Sequence, residues 1–262
     1  MDDFKTYIEP LGIARGLTAS DGRFLRICDT DLLCAALKII TRDKNEISTE
    51  VVLVENLNDY LDAQSETTRA SLEKTIKAIS SKRSTLDLKN DCQLKFDKPI
   101  IQGVLNVTPD SFSDGGTFAR HDAAIMGARD MVEAGAVIID IGGESTKPGA
   151  TPVSIQAELD RVIPVIEKIS SLKVTISIDS RNADVMRDAI GAGASIINDV
   201  SALEHDAKSM DVVLETGAPV ILMHAQGNPE TMQDNPNYQC AVLDIYNYLE
   251  ARINHCVRVG VS

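Results

Sequence analysis

The chain has no apolar run approaching the ~18 residues that a membrane-spanning helix requires. Its first residues, MDDFKTYIEP, hold neither a basic stretch nor an apolar one, so no signal peptide is expected and the cytoplasm is the expected compartment. Five cysteines, Cys28, Cys34, Cys92, Cys240 and Cys256, are odd in number, widely spaced and free of any CxxC pair. That distribution argues against a disulfide framework and against a thiolate zinc site, and predicts inert free thiols. Basic residues are also short, because the formal net charge is −13. A nucleic-acid partner is therefore not expected, since neutralising phosphates requires clustered Lys and Arg. Small anionic substrates stay possible, because a local cation overrides the bulk field.

What is present divides in two. Residues 1–98 carry 15 Lys+Arg against 17 Asp+Glu, whereas residues 99–262 carry 11 against 22. Hydrophobic content of 44% over 262 residues is enough for a sizeable core. The first region predicts a small α/β unit without a catalytic cluster. Strands are expected over Tyr7–Ile13, Arg23–Cys28 and Glu50–Val54. A helix is expected after an Asp31 N-cap, with Leu32, Leu33, Ala36, Leu37 and Ile40 on one face, and another over Ser65–Lys82 with Leu72, Ile76 and Ile79. Ser84–Lys98 is expected to be a linker, which gives domains 1–98 and 99–262.

From Ile100 onward the pattern is regular. Short apolar runs recur at Ile100–Leu105, Val137–Ile141, Val174–Ile178, Ser195–Asn198 and Pro219–Met223, as strands buried on both faces would. Helical patterns lie between them, at Ala123–Gly135, Ile155–Ser170, Asn182–Ala192 and Ala207–Glu215. Alternation of this kind predicts parallel βαβ units. Polar residues sit at or just past the ends of all five strands: Asn106, Gly142–Glu144, Asp179, Asn198 and His224. In a (β/α)8 barrel those ends meet at one mouth, whereas an open doubly wound sheet gathers only those near its switch point. The pattern favours an α/β TIM barrel of about five βα units.

Four strings carry the chemistry. Gly103-Val-Leu-Asn-Val-Thr-Pro-Asp-Ser-Phe-Ser-Asp-Gly-Gly116 runs from a strand into a loop with two acids and three hydroxyls. An isolated Asn106 reads as a turn cap; within that string its neutral carboxamide oxygen suits Mg2+ beside waters and phosphates. In Asp140-Ile-Gly-Gly-Glu-Ser-Thr-Lys-Pro-Gly149 the glycines admit a ligand to the backbone and the Ser-Thr-Lys can hold an anion. An ordinary βα loop explains that segment equally well. Ser177-Ile-Asp179-Ser180 and Ile197-Asn198-Asp199-Val200 place a carboxylate and a carboxamide at adjacent strand ends. Singly, each is better read as a cap; jointly they can read the donor–acceptor edge of a flat heterocycle. In Ile221-Leu-Met-His224-Ala-Gln-Gly227, Met223 offers an adaptable apolar wall. A lone strand-end histidine such as His224 is more often structural than catalytic.

Together, in this order and spacing, the strings resemble dihydropteroate synthase, the folate-pathway family that sulfonamides inhibit. The resemblance covers Ile100–Ser262; the first 98 residues resemble at most an N-terminal extension of some bacterial members. It implies a transferase that joins 4-aminobenzoate to (7,8-dihydropterin-6-yl)methyl diphosphate and releases pyrophosphate. Asn106 would hold Mg2+, and Asp179 and Asn198 would read the pterin beside Met223. Thr146 and Lys147 would lie near the diphosphate and aminobenzoate, and the loop Asp110, Phe112, Ser113 and Asp114 would close over the site. Lys147 replaces the family's usual Arg, which keeps the charge and gives up the bidentate contact. The family's Asp-Pro-Gly, Gly-Phe-Gly-Lys, Ser-Arg and Arg-x-His strings would follow the present last residues, Gly260-Val-Ser262. The resemblance thus also implies an incomplete barrel, inactive alone, and a homodimer in the full-length form. Two alternatives stay open: a non-catalytic remnant, and a methyltetrahydrofolate-type methyltransferase on the same barrel.

Overall fold

The computed structural model describes residues 4–16, 22–88, 92–108, 117–144, 153–227, 231 and 235–261, the first four residues of the helix at 117 by backbone alone. It divides into two compact units, Met1–Thr85 with Lys95–Asp97, and Leu86–Leu94 with Lys98–Ser262.

The first unit contains β1 (Phe4–Leu11), β2 (Ala14–Arg15), β3 (Leu25–Arg26), β4 (Leu32–Cys34), β5 (Ala36–Asp43), β6 (Glu46–Leu53), α1 (Leu57–Asp62) and α2 (Glu66–Ser80). β5 pairs antiparallel with β1 on one side and β6 on the other, and β4 pairs with β2 and β3. The helix expected over Leu32–Ile40 is therefore absent; the segment forms β4 and β5. Its apolar spacing fits a helix, but Leu37 and Ile39 alternate on one buried face and ladders on both flanks hold the backbone extended. The β-branched Ile39-Ile40-Thr41 also favours a strand. α2 forms as expected, capped by Ser65, whose hydroxyl accepts from the Thr68 N–H. Leu72 seats it on a core of Cys34, Leu37, Ile39, Val52, Leu57 and Leu61.

The second unit opens with a hairpin, β7 (Leu86–Asp87) and β8 (Gln93–Leu94), inside the stretch expected as a linker. Leu86, Leu88 and Leu94 pack with Ile100, Ile138 and Ile196. Their apolar contacts make the hairpin part of the second unit and displace the expected boundary at residue 98. The strands and helices then alternate: β9 (Gln102–Asn106), α3 (Thr117–Glu133), β10 (Ile138–Gly142), α4 (Ile155–Ile169), β11 (Thr175–Asp179), α5 (Ala183–Ala192), β12 (Ile196–Asp199), α6 (Ser209–Thr216), β13 (Val220–Leu222) and α7 (Ala241–Val259). The five strands are parallel, and each pairs with its successor in the chain. Monotonic order is the winding of a (β/α)8 barrel; a doubly wound sheet reverses direction at its switch point. The fold is thus an arc of five βα units of TIM-barrel type. α7 lies beyond the helical patterns singled out in the sequence.

Side chains alternate strictly between the two faces. Leu105, Ile139, Ile141, Ile176, Ile178 and Ile197 are buried against Val162, Val165, Ile166, Val185, Met186 and Val212 from the helices. The other face carries Val104, Asn106, Asp140, Ser177, Asp179 and Asn198, by the two-residue period of the pleat. Leu105 is 3% exposed and its neighbour Val104 57%. Leu105→Ala is expected to cost about 2–5 kcal/mol of stability, and Val104→Ala under about 0.5 kcal/mol, by urea unfolding. Equal losses would contradict this division of the faces.

Candidate functional site

Backbone register brings the expected strand ends into one row. Gly142 pairs with Asn106 on one side and with Asp179 on the other, and Asp179 pairs with Asn198. A Cβ built on Gly142 would lie 3.5 Å from Asn106 Oδ1 and 3.5 Å from Asp179 Oδ2. Two oxygen-bearing side chains thus flank a position that has none of its own. Backbone bonds beyond the strand ends tighten the rim: Val107 N donates to Gly142 O at 2.8 Å, and Ser180 N to Asn198 O at 3.1 Å.

Just beneath the row lie Asp140 and Ser177, two residues before Gly142 and Asp179 and so on the same face. Asp140 is 4% exposed and Ser177 is fully buried. The Asn198 amide Nδ2 donates to Asp140 Oδ2 at 2.9 Å. Ser177 and Gln102 lie near enough to Asp140 to ease its charge, yet Asp140 Oδ1, Ser177 Oγ and Asp179 Oδ1 have no partner of hydrogen-bonding geometry among the described residues. Burial pushes the Asp179 carboxyl up to about 7, and the negative charges of Asp140, Asp199, Glu158 and Glu144 add to the effect. Burial raises Asp140 as well.

The ordinary explanations of Asp179 and Asn198 are taken by other residues. The N-terminus of α5 is capped by Asp206, whose Oδ2 accepts from Ala183 N at 3.0 Å, while Ser180 Oγ accepts from Asn182 N at 3.1 Å. The turn after β12 is held by Asp199, which accepts from Ser201 N at 2.7 Å and Leu203 N at 2.9 Å. Asp179 and Asn198 are thereby left facing the mouth.

Gly143 and Glu144, which follow β10, are held by charge and hydrogen bonds. Arg181 grips Glu144 with Nε at 3.0 Å and Nη2 at 3.2 Å, in the bidentate manner that guanidinium geometry allows. Arg161 Nη1 donates to Gly143 O at 2.7 Å, and Asn182 Nδ2 to the fully buried Glu158 at 2.7 Å. Gly143 is required here, since a Cβ would stand 2.8 Å from Val162 Cγ1 and 3.1 Å from the Glu158 carbonyl. This network and Asp140 escaped the sequence reading of single strand ends. The available signal was the pleat, which puts Asp140 and Ser177 under Gly142 and Asp179.

Met223 follows β13 partly buried, its N–H directed at Asp199 O over 3.4 Å. The His224 ring stands edge-on to Tyr248 at 4.8 Å and tilted to Tyr238 at 5.7 Å, a packing role. Asp110, Phe112, Ser113, Asp114, Thr146 and Lys147 lie outside the described residues.

A family model described as pterin binding enzyme matches residues 102–262. The chain belongs to the pterin-binding enzyme family. Within that family it is 46% identical over 170 residues to the dihydropteroate synthase of Escherichia coli K12, covering 64% of this chain and 60% of that protein. To the Bacillus subtilis dihydropteroate synthase it is 46% identical over 167 residues, 63% of this chain and 56% of the relative. Among solved structures, the Yersinia pestis dihydropteroate synthase with a sulfonamide drug superposes with a TM-score of 0.63 at 43% identity, over 68% of this chain and 65% of that one. The Xanthomonas albilineans enzyme with 4-aminobenzoic acid gives a TM-score of 0.62 at 42% identity, over 68% and 63%. The chain thus spans about 60% of the length of the E. coli relative.

The Asp179 environment has a measurable consequence. Its folded carboxyl, at about 7 against an ordinary 3.8, favours the protonated form. The protein therefore loses stability as pH rises from about 4 through 7, and the loss is complete above 7. Asp179→Asn should stabilise the protein at pH 8 and have little effect below pH 4, by urea unfolding of both forms. An equal difference at the two pH values would show that Asp179 does not titrate in this range.

Proposed function

We propose that this chain carries the pterin-reading half of a dihydropteroate synthase site. The reaction joins 4-aminobenzoate to (7,8-dihydropterin-6-yl)methyl diphosphate, giving 7,8-dihydropteroate and pyrophosphate in folate biosynthesis. The observation that carries this reading is the row Asn106–Gly142–Asp179–Asn198, set in a sequence 46% identical to a named dihydropteroate synthase. That identity favours the synthase over the methyltransferase alternative. Relatives solved with a sulfonamide drug, with 4-aminobenzoic acid and with 7,8-dihydropteroate support the substrate classes.

The chemistry follows from the charges. Ionised Asp179 accepts from a ring N–H and an exocyclic NH2, so docking a pterin edge drives its proton to solvent. Gly142 leaves the space through which the flat ring passes between Asn106 and Asp179. When the diphosphate departs, the pterin carries positive charge, and the negative field at Asp179, to which Asp140, Asp199, Glu158 and Glu144 contribute, would favour that cation. The aniline nitrogen of aminobenzoate then attacks the methylene carbon and loses a proton. Met223 would flank the ring. Asp110, Phe112, Ser113 and Asp114, on the segment after β9, would exclude water from the cation. Thr146 and Lys147, after β10, would hold anionic groups of the substrates.

The same acidic surround would repel a diphosphate, which is the reason for proposing Mg2+. Asn106, exposed at the end of β9, offers one neutral oxygen across Gly142 from Asp179. One or two protein oxygens beside waters and phosphates are what Mg2+ accepts. Bound there, it would neutralise the leaving diphosphate. Among the described residues no helix is long and apolar enough to cross a membrane. A cytoplasmic location, and a homodimer in longer members, belong to this proposal.

Calorimetric titration of the 262-residue protein with the pterin diphosphate and Mg2+ tests the reading. Binding should depend on Mg2+, and Asp179→Asn and Asn198→Ala should each weaken it about 10–100-fold. Gly142→Ala, whose methyl would meet only ordinary contacts at 3.5 Å, should fold normally and bind more weakly. Absence of pterin binding by the unmodified protein would sink the proposal.

A further inference from the structure

Beyond adding its charge to the field at Asp179, Asp140 has no contact role in the chemistry above, and yet it is deeply buried. It is a carboxylate 4% exposed, with one oxygen unpartnered among the described residues. Burying an anion in this way is unfavourable unless something is gained by it. Holding the strands together does not account for it. β10 and β12 are not neighbours; each is already laddered to β11 by backbone bonds. What Asp140 does reach, diagonally across β11, is the Asn198 amide at 2.9 Å.

That bond has a directional consequence. A carboxamide presents a donor on one side and an acceptor on the other, and the two are interchanged by a flip of the group. Asp140 Oδ2 accepts from Nδ2; the flipped amide would set Oδ1 against a carboxylate oxygen, two acceptors face to face. The amide plane then turns Asn198 Oδ1 away from Asp140. No described residue donates to it.

We infer that Asp140 is a positioning residue that locks the Asn198 carboxamide with its oxygen toward the mouth, so that this oxygen stands as a second fixed acceptor beside the Asp179 carboxylate. The lock is a property of the protein alone; the ligand class rests on the pterin reading above. Such a pair of acceptors selects heterocycles that present neighbouring N–H and NH2 donors and rejects those with a carbonyl in place of the amine. With the amide free to flip, Asn198 would serve either partner and the discrimination would narrow. The selectivity of the site is thus set by a residue that need not touch the ligand.

Two readouts on the whole 262-residue protein test this, with Asp140→Ala and the closely isosteric Asp140→Asn. In 15N–1H spectra the Asn198 side-chain pair, assigned by its loss in Asn198→Asp, should show one proton shifted by the carboxylate. That shift should diminish in Asp140→Asn and vanish in Asp140→Ala. In calorimetry, pterin should bind the unmodified protein about 100-fold better than lumazine, its 2-oxo counterpart. Asp140→Ala should narrow that ratio to below about 10-fold, with Asp140→Asn between. A merely structural role would weaken both ligands alike and leave the ratio unchanged, which would overturn the inference. Unchanged Asn198 resonances in either variant would overturn it too. If the unmodified protein binds neither ligand, the pterin reading fails, and the resonances alone then decide whether Asp140 locks Asn198.

Discussion

Register along the ladder from β9 to β13 governs everything above it. Because side chains alternate across a pleat, a one-residue slip in any strand would exchange its polar set for its apolar one. Asp179 would then face the helices and Ile178 the mouth. What prevents the slip is the helix layer: Leu105, Ile139, Ile141, Ile176, Ile178 and Ile197 all fit one continuous core with α4, α5 and α6. The hydrophobic effect thus fixes, from behind, where a carboxylate and two carboxamides stand in front. Gly142 matters for the same reason, as the one member of the row whose lack of a side chain gives its neighbours a shared space.

The acids gathered at the strand ends work against stability. Glu144 is answered by Arg181, but Asp140, Glu158, Asp179 and Asp199 all have their carboxyls raised by burial. Groups held away from their preferred charge concentrate at functional sites, where their environment serves chemistry rather than folding. Here the gain is a surface ready to receive hydrogen-bond donors and positive charge. Gly143, the neighbour of Glu144, is tied to α4 by Arg161 and packs closely on Val162 and Glu158.

Legibility in the sequence followed the physics of burial. The strands of the second unit are covered on both sides or lined by polar ends, so their apolar runs and terminal residues stood out, and Asn106, Asp179 and Asn198 came together as the register required. Leu32–Ile40 misled because its spacing suits a helix in isolation; only pairing with β1 and β6, a long-range fact, makes it a strand. Leu86–Leu94 hid because two-residue strands leave no periodic trace. Asp140 was visible as a letter, but its bond spans 58 residues and crosses a strand. The part of the candidate site carried by Asp110, Phe112, Ser113, Asp114, Thr146 and Lys147 falls outside the described residues.

The small hairpin also bears on how the gene can be dissected. Composition suggests a cut near residue 98, yet Leu86, Leu88 and Leu94 cover Ile138 and Ile196 at the beginnings of β10 and β12. A polypeptide started at residue 99 would keep every residue of the rim and lose its base. Bare isoleucines at the foot of the sheet would then invite self-association. The first compact unit runs to Thr85, upstream of the hairpin, and takes in Lys95–Asp97 beyond it.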